Sequence, residues 1–318
     1  MADKFGFTHE ETAVLLDYYR IQDTDKTIEK WYDGYTFGTV KGIFNPWSVL
    51  KCIQNKGSLE KYWANTSDNT LVKKLIARAP KSVKSELELL LEGAQVNQAI
   101  EESITFPDLD HRTELLWSLL LFTGYLTYTH WELKEGTKIC SLAIPNQEIN
   151  YLYRELIRNI FKESVVGGQA EDLLEALTQG QAVPFTELLQ GFIINSMSFF
   201  DLPSSEPEKS YHLFVLGLLV MLSDHYEVKS NRESGLGRYD IIIIPKQANK
   251  PAIIIEFKKV LAGETLEQAA QRALDQIIQK RYIQELQAKH FEKVFAYGIA
   301  VEGKKIFLKM LSEIQNAQ

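Results

Sequence analysis

Two short apolar runs late in the chain break a pattern otherwise set for helices. Residues 238–245, with Ile241, Ile242, Ile243 and Ile244 in succession, and residues 252–258, with Ile253, Ile254 and Ile255, are β-branched and bounded by turn formers. Runs of that length and composition predict buried strands, and the polar residues 246–250 between them predict a hairpin. Upstream, apolar positions recur at helical spacing. They predict helices over 10–19 (Val14, Leu15, Tyr18), 48–54, 70–79, 82–91, 114–121, 148–161, 170–177 and 186–195. A small hairpin is expected from 124–129 and 140–144 around a polar turn at 134–137. Residues 196–205, with Pro203, Ser204 and Ser205, read as a linker. Beyond it the pattern predicts a helix over 208–222 with Leu213, Leu216 and Val220 on one stripe. A strand at 226–229, the two apolar strands, one helix over 264–288 and strands at 294–301 and 305–310 complete the order.

The expected fold class is therefore α+β, with a mostly helical domain over 1–195 and an α/β domain with a small mixed sheet over 196–318. A length of 318 residues suits two such cores. No apolar run approaches a membrane span, and no apolar signal region follows Met1. Cys52 and Cys140 give neither a disulfide framework nor a metal-ligand spacing, so a reducing, cytoplasmic setting is expected. The formal charge of −7 argues against a general attraction to nucleic acid, but it is unevenly spread. Residues 196–318 carry 16 Lys and Arg against 15 Asp and Glu, whereas residues 1–195 carry 19 against 27. Lys229, Arg232, Arg238, Lys258, Lys259, Arg272, Lys280 and Arg281 could form a local basic cleft in the balanced part.

The chemistry concentrates on Asp240, Glu256 and Lys258. Side chains two apart on a strand share a face, so Glu256 and Lys258 project together while Phe257 packs opposite. A hairpin sets Asp240 beside them. Two carboxylates and an ammonium at the edge of an apolar sheet are costly unless a cation compensates the acids, which makes Asp240 and Glu256 candidate metal ligands. The plain alternative is a surface Glu256–Lys258 pair at a strand end, worth little to stability.

An acid followed at a distance by E-x-K resembles the core of the PD-(D/E)xK nuclease superfamily. Tyr239 rather than proline precedes the first acid, so the dipeptide of the name is not matched. The surroundings carry more weight. The stretch Ser230-Asn231-Arg232-Glu233-Ser234-Gly235-Leu236-Gly237-Arg238-Tyr239-Asp240 resembles the approach to the first acid in one bacterial branch, where the nuclease-like domain follows an AAA-ATPase-like region. Residues 271–282 resemble the next helix of that branch, and the likeness spans about 208–311. It implies a restriction-endonuclease-like domain that hydrolyses phosphodiester bonds using Mg²⁺, or Mn²⁺ in its place. Asp240 and Glu256 would hold the metal with help from the Phe257 carbonyl. Lys258 would orient or deprotonate the attacking water, or steady developing charge. Glu208, His212 and Gln276 are further candidates, and Arg232, Arg238 and Lys259 candidates for contact with nucleic acid, DNA ahead of RNA. Glu208 is equally well explained as a first-turn helix acid, and His212 as a packed histidine.

Earlier motifs resemble the closing region of the AAA-ATPase-like part: Phe5-Gly6-Phe7-Thr8, Trp31-Tyr32-Asp33-Gly34-Tyr35, Asn45-Pro46-Trp47-Ser48, Tyr62-Trp63-Ala64-Asn65-Thr66-Ser67 and Leu119-Leu120-Leu121-Phe122-Thr123-Gly124-Tyr125-Leu126. Trp31 and Trp63 are expected to serve packing. The portion that would precede them, with its phosphate-binding loop, is absent from the sequence. The nearest loop match, Gly298 to Gly303-Lys304, continues with Lys305 and lies in strand-like sequence. No ATP hydrolysis is expected. Two rival readings remain: a catalytically silent module binding nucleic acid or protein, and an effector whose acidic helical domain docks a protein partner.

Overall fold

The computed structural model describes residues 4–22, 26–63, 69–104, 112, 114–165, 169–199, 207–230, 233–234, 237–238, 240–247, 249–289, 291 and 293–314. They divide into two compact units, Met1–Leu156 and Ile157–Gln318. The first holds α1 (His9–Tyr18), α2 (Thr27–Tyr32), β1 (Tyr35–Phe37), β2 (Val40–Ile43), α3 (Pro46–Gln54), α4 (Thr70–Arg78), α5 (Lys81–Leu91), β3 (Val96–Ile100), α6 (Leu115–Phe122), β4 (Thr127–Lys134) and β5 (Thr137–Ala143). Helix α7 (Gln147–Ser164) runs across the division. Local chemistry explains the helix starts. Thr8 and Glu11 form a reciprocal capping box on α1. On α3, the Asn45 side chain accepts from the Trp47 and Ser48 N–H groups ahead of Pro46 at the first position.

The aromatic motifs of this unit pack against one another. Trp31 stacks on Tyr151 at 5.2 Å, and Trp63 meets Tyr125 edge-on at 5.3 Å. Buried Glu148 accepts from Ser48 Oγ (2.7 Å) and from the Trp63 N–H (2.6 Å), and Tyr35 Oη donates to the Gly124 carbonyl. The Trp31, Asn45, Trp63 and Gly124 stretches are thus tied into one core, as packing residues would be. Residues 64–67 of the Trp63 motif lie outside the described residues. The short sheets β1–β2 and β3–β5–β4 were only partly legible, because β1–β3 are three to five residues long and lack an apolar run.

The second unit continues with α8 (Ala170–Gln179), α9 (Ala182–Phe199), α10 (Pro207–Met221), β6 (Tyr226–Ser230), β7 (Glu233–Ser234), β8 (Gly237–Arg238), β9 (Ile241–Pro245), β10 (Ala252–Lys259), α11 (Leu266–Gln279), α12 (Tyr282–Ala288), β11 (Lys293–Glu302) and β12 (Lys305–Ile314). It begins at Ile157, whereas the sequence places the boundary at 195/196. The reason is packing: the Tyr297 hydroxyl donates to the Leu177 carbonyl, Phe185 lies edge-on to Tyr297, and Gln190 Oε1 accepts from the Ile306 N–H. Helix α9 also runs to Phe199, through part of the stretch read as a linker; residues 200–206 lie outside the described residues. The helix expected over 264–288 is two helices, broken at Lys280-Arg281, where Arg281 takes a left-handed conformation (φ 56°).

One mixed sheet orders its strands β12-β11-β10-β9-β6. Strands β10 and β11 are parallel and the other neighbours antiparallel. Even-numbered β10 residues face α11 and α12, with Ile242, Ala252, Ile254, Leu274, Ile277, Tyr282 and Leu286 in one apolar cluster. Phe257 points the other way, onto Tyr211 (5.1 Å) and Phe214 (6.5 Å) of α10. Gly298, the first glycine of the nearest phosphate-loop match, is mid-strand in β11, and the second, Gly303, lies in the turn into β12. No helix among the described residues is long and apolar enough to cross a membrane.

Candidate active site

The β9–β10 hairpin fixes the site by register. Ile241 pairs with Ile255, so Asp240 falls beside Glu256 on the face that carries α11. The Phe257 N–H donates to Asp240 Oδ2 (2.7 Å), and the Asp240 N–H donates to Glu256 Oε2 (3.3 Å). Lys258 Nζ lies 2.7 Å from Glu256 Oε1. Glu256 is 1 % exposed and Lys258 22 %, so this is no surface pair. Burial pushes the Glu256 carboxyl up to about 7, the Asp240 charge adds to the rise, and Lys258 pulls back against it.

Of the further candidates, Gln276 belongs to the cluster. Its Nε2 donates to Glu256 Oε1 from α11. The contact depends on how closely α11 lies on the sheet. Gly298, the β11 partner of Glu256, faces the helix backbone, and a Cβ there would lie 2.4 Å from the Ala270 carbonyl and 2.7 Å from the Leu274 nitrogen. His212 is 1 % exposed and edge-on to Tyr211 at 4.9 Å, the packed position its plainer reading anticipates. Tyr211 went unnoticed in the sequence, an aromatic on an apolar helix with no spacing signal. Its hydroxyl donates to the Asp240 carbonyl (3.1 Å).

Three residues of the expected basic cleft are paired with carboxylates. Lys229 pairs with Glu227 (3.1 Å), Lys258 with Glu256, and Arg272 with Glu264 (2.9 Å), while Arg272 Nη2 also donates to the Lys259 carbonyl. Lys259, Lys280 and Arg281 are exposed. Arg232 lies outside the described residues, as do the side chains of Glu208 and Arg238, whose backbones belong to α10 and β8.

Two acids and a lysine on adjoining strands, with an amide from the next helix, are a recognisable set. Residues 206–310 match the family model of the PD-(D/E)XK nuclease superfamily. The matched segment runs from the start of α10 into β12 and contains every residue of the cluster. Members of this nuclease superfamily generally hydrolyse phosphodiester bonds, which implies a nucleic-acid substrate, and they typically use divalent metal ions. No curated protein and no solved structure gives a significant match to the chain.

Proposed function

We propose that this domain is a metal-dependent nuclease acting on DNA ahead of RNA, with Asp240, Glu256 and Lys258 as its catalytic set. The observation that supports it most is the burial of Glu256 against Asp240. A carboxyl raised to about 7 by burial and a second acid is costly to keep ionised. A cation between the two acids relieves that cost. Hard oxygen donors fit Mg²⁺ or Mn²⁺, so Asp240 and Glu256 would hold the ion. Once bound, it supplies charge neutralisation at the scissile phosphate.

The chain's own groups do the rest. The Phe257 N–H and the Tyr211 hydroxyl hold Asp240 by side chain and main chain, and Gln276 fixes the Glu256 carboxylate. Lys258 Nζ, partly open to solvent beside Glu256, orients the attacking water or steadies charge on the phosphate. Lys259, exposed one residue on, is a candidate for contact with the backbone of the substrate.

A second reading, a silent binding module, is favoured by one observation: Glu256 already accepts from Lys258, Gln276 and the Asp240 N–H, as a structural network would. The N-terminal unit keeps the reading its motifs carry, the closing part of an AAA-ATPase-like region, and docking of a protein partner there rests on the acidity of residues 1–195.

The test is cleavage of labelled single- and double-stranded DNA and RNA with Mg²⁺ or Mn²⁺. Asp240→Ala and Lys258→Ala are each expected to lower the rate by at least about 10²-fold. Absence of cleavage on every substrate, together with no metal uptake by calorimetry, selects the binding module.

A further inference from the structure

We propose that His9, Glu29 and Asp33 form a binding site in the N-terminal unit for a zinc-like divalent cation, separate from the acids of the nuclease domain. One donor atom from each residue lies within 4.8 Å of the other two. Helix geometry brings the acids together. Glu29 on α2 and Asp33, the residue that caps its C-terminus, are one turn apart, and the Asp33 N–H closes the last turn onto the Glu29 carbonyl (3.1 Å). His9 opens α1, its backbone set by the Thr8–Glu11 capping box and its ring held edge-on to Phe44 at 5.0 Å.

His9 Nε2 stands 3.3 Å from Asp33 Oδ2. An ammonium-type N–H donor and a carboxylate usually meet at about 2.7–2.9 Å, so the pair is long for a plain ion pair. Two donors on a tetrahedral ion with bonds of about 2.1 Å sit about 3.4 Å apart, which is close to the spacing observed. Two like charges at i and i+4 repel. Lys26, 3.2 Å from Glu29 and largely in solvent, offsets only part of this.

Two further features point to a ligand. Asp33 Oδ1 is buried and makes no regular hydrogen bond among the described residues, with the adjoining Gly34 N–H acting on the carboxylate. The backbone of Gly42, with φ +73°, lies beside His9 and Asp33. A Cβ there would lie 2.7 Å from His9 Nε2 and 3.6 Å from Asp33 Oδ2, so the glycine leaves open the approach an ion would use. Behind the acids, Asn146 Nδ2 donates to the Asp33 carbonyl (2.8 Å) and steadies the chain that carries it. One imidazole and two carboxylates, with no thiolate, suit Zn²⁺ with a fourth position left for water.

The experiment uses the full chain, with Zn²⁺ titrated by calorimetry and Co²⁺ as a visible-absorption probe of the same site. Asp240→Asn is the background in which the nuclease acids are weakened, and wild type is run beside it. We expect one Zn²⁺ taken up in the Asp240→Asn protein, with Co²⁺ bands typical of low coordination. His9→Ala in either background should lose that ion or bind it at least about tenfold more weakly, and Glu29→Gln should do the same. His9 is 49 % exposed, so its truncation leaves the fold intact, checked by an unchanged metal-free melting temperature. Equal Zn²⁺ affinity in wild type and His9→Ala, or no uptake in Asp240→Asn while wild type binds, overturns the proposal.

Discussion

Glu256 is held against the ordinary preference of a carboxylate for water, and this gives it a measurable pH signature. Its folded value of about 7 lies above the unperturbed 4.5. The folded protein therefore keeps a proton that the unfolded chain releases between those values. Stability from this group is complete below about 4.5, is lost as pH rises through about 7, and is level above that. Metal-free urea unfolding should show the decline between about pH 5 and 8, and Glu256→Gln, neutral throughout, should flatten it. A wild-type profile as flat as that of the variant would argue that Glu256 is ionised and compensated without metal. Saturating Mg²⁺ should also restore stability on the alkaline side, because only the ionised acid binds it.

Elements, rather than single side chains, determine whether these groups meet. The β9–β10 hairpin, the opposed faces of β10 and the proximity of Asp240, Glu256 and Lys258 were legible in the sequence, because period-two alternation and a polar turn encode them locally. Gln276 was placed on its helix but not against Glu256, since that contact depends on how closely α11 lies over Gly298. Gly298→Val should therefore do two things at once. Forcing a side chain toward the Ala270 carbonyl should destabilise the domain by about 1–3 kcal/mol in chemical denaturation, and it should draw Gln276 away from Glu256 and slow cleavage. Stability and rate that both match wild type would show that α11 tolerates displacement. Tyr211 escaped notice because its role is a main-chain bond to Asp240, which no sequence spacing signals. The break at Arg281 escaped for a related reason: helical periodicity continues through it, and one left-handed residue interrupts it.

At the scale of the whole molecule, the compact unit that carries the site is larger than its nuclease-matched segment. Helices α8 and α9 contribute Leu177, Phe185 and Gln190 to the sheet through Tyr297 and Ile306, and none of these lies within 206–310. A fragment over 196–318 exposes that apolar face, and we expect it to aggregate or unfold without a cooperative transition. A fragment over 147–318, with α7 whole, is expected to melt cooperatively. The comparison needs only circular dichroism with heating, and a cooperative melt of the shorter fragment would restore the boundary at 195/196. The compact unit begins before the edge read from the sequence because Pro203, Ser204 and Ser205 signal an interruption of the chain, whereas the limit of a core depends on distant partners.

The parallel pairing of β10 with β11 carries a consequence for the order of assembly. Asp240 and Glu256 are joined by a local hairpin, which closes quickly because little chain separates its strands. The β11 partner of Glu256 arrives only after two helices have been threaded across the sheet, a long-range step that is intrinsically slow. On a chain emerging from the ribosome, the two acids therefore stand together before Gln276, Gly298 or the far wall exists to enclose them. The interval in which they face solvent is also the one in which a cation reaches them most freely.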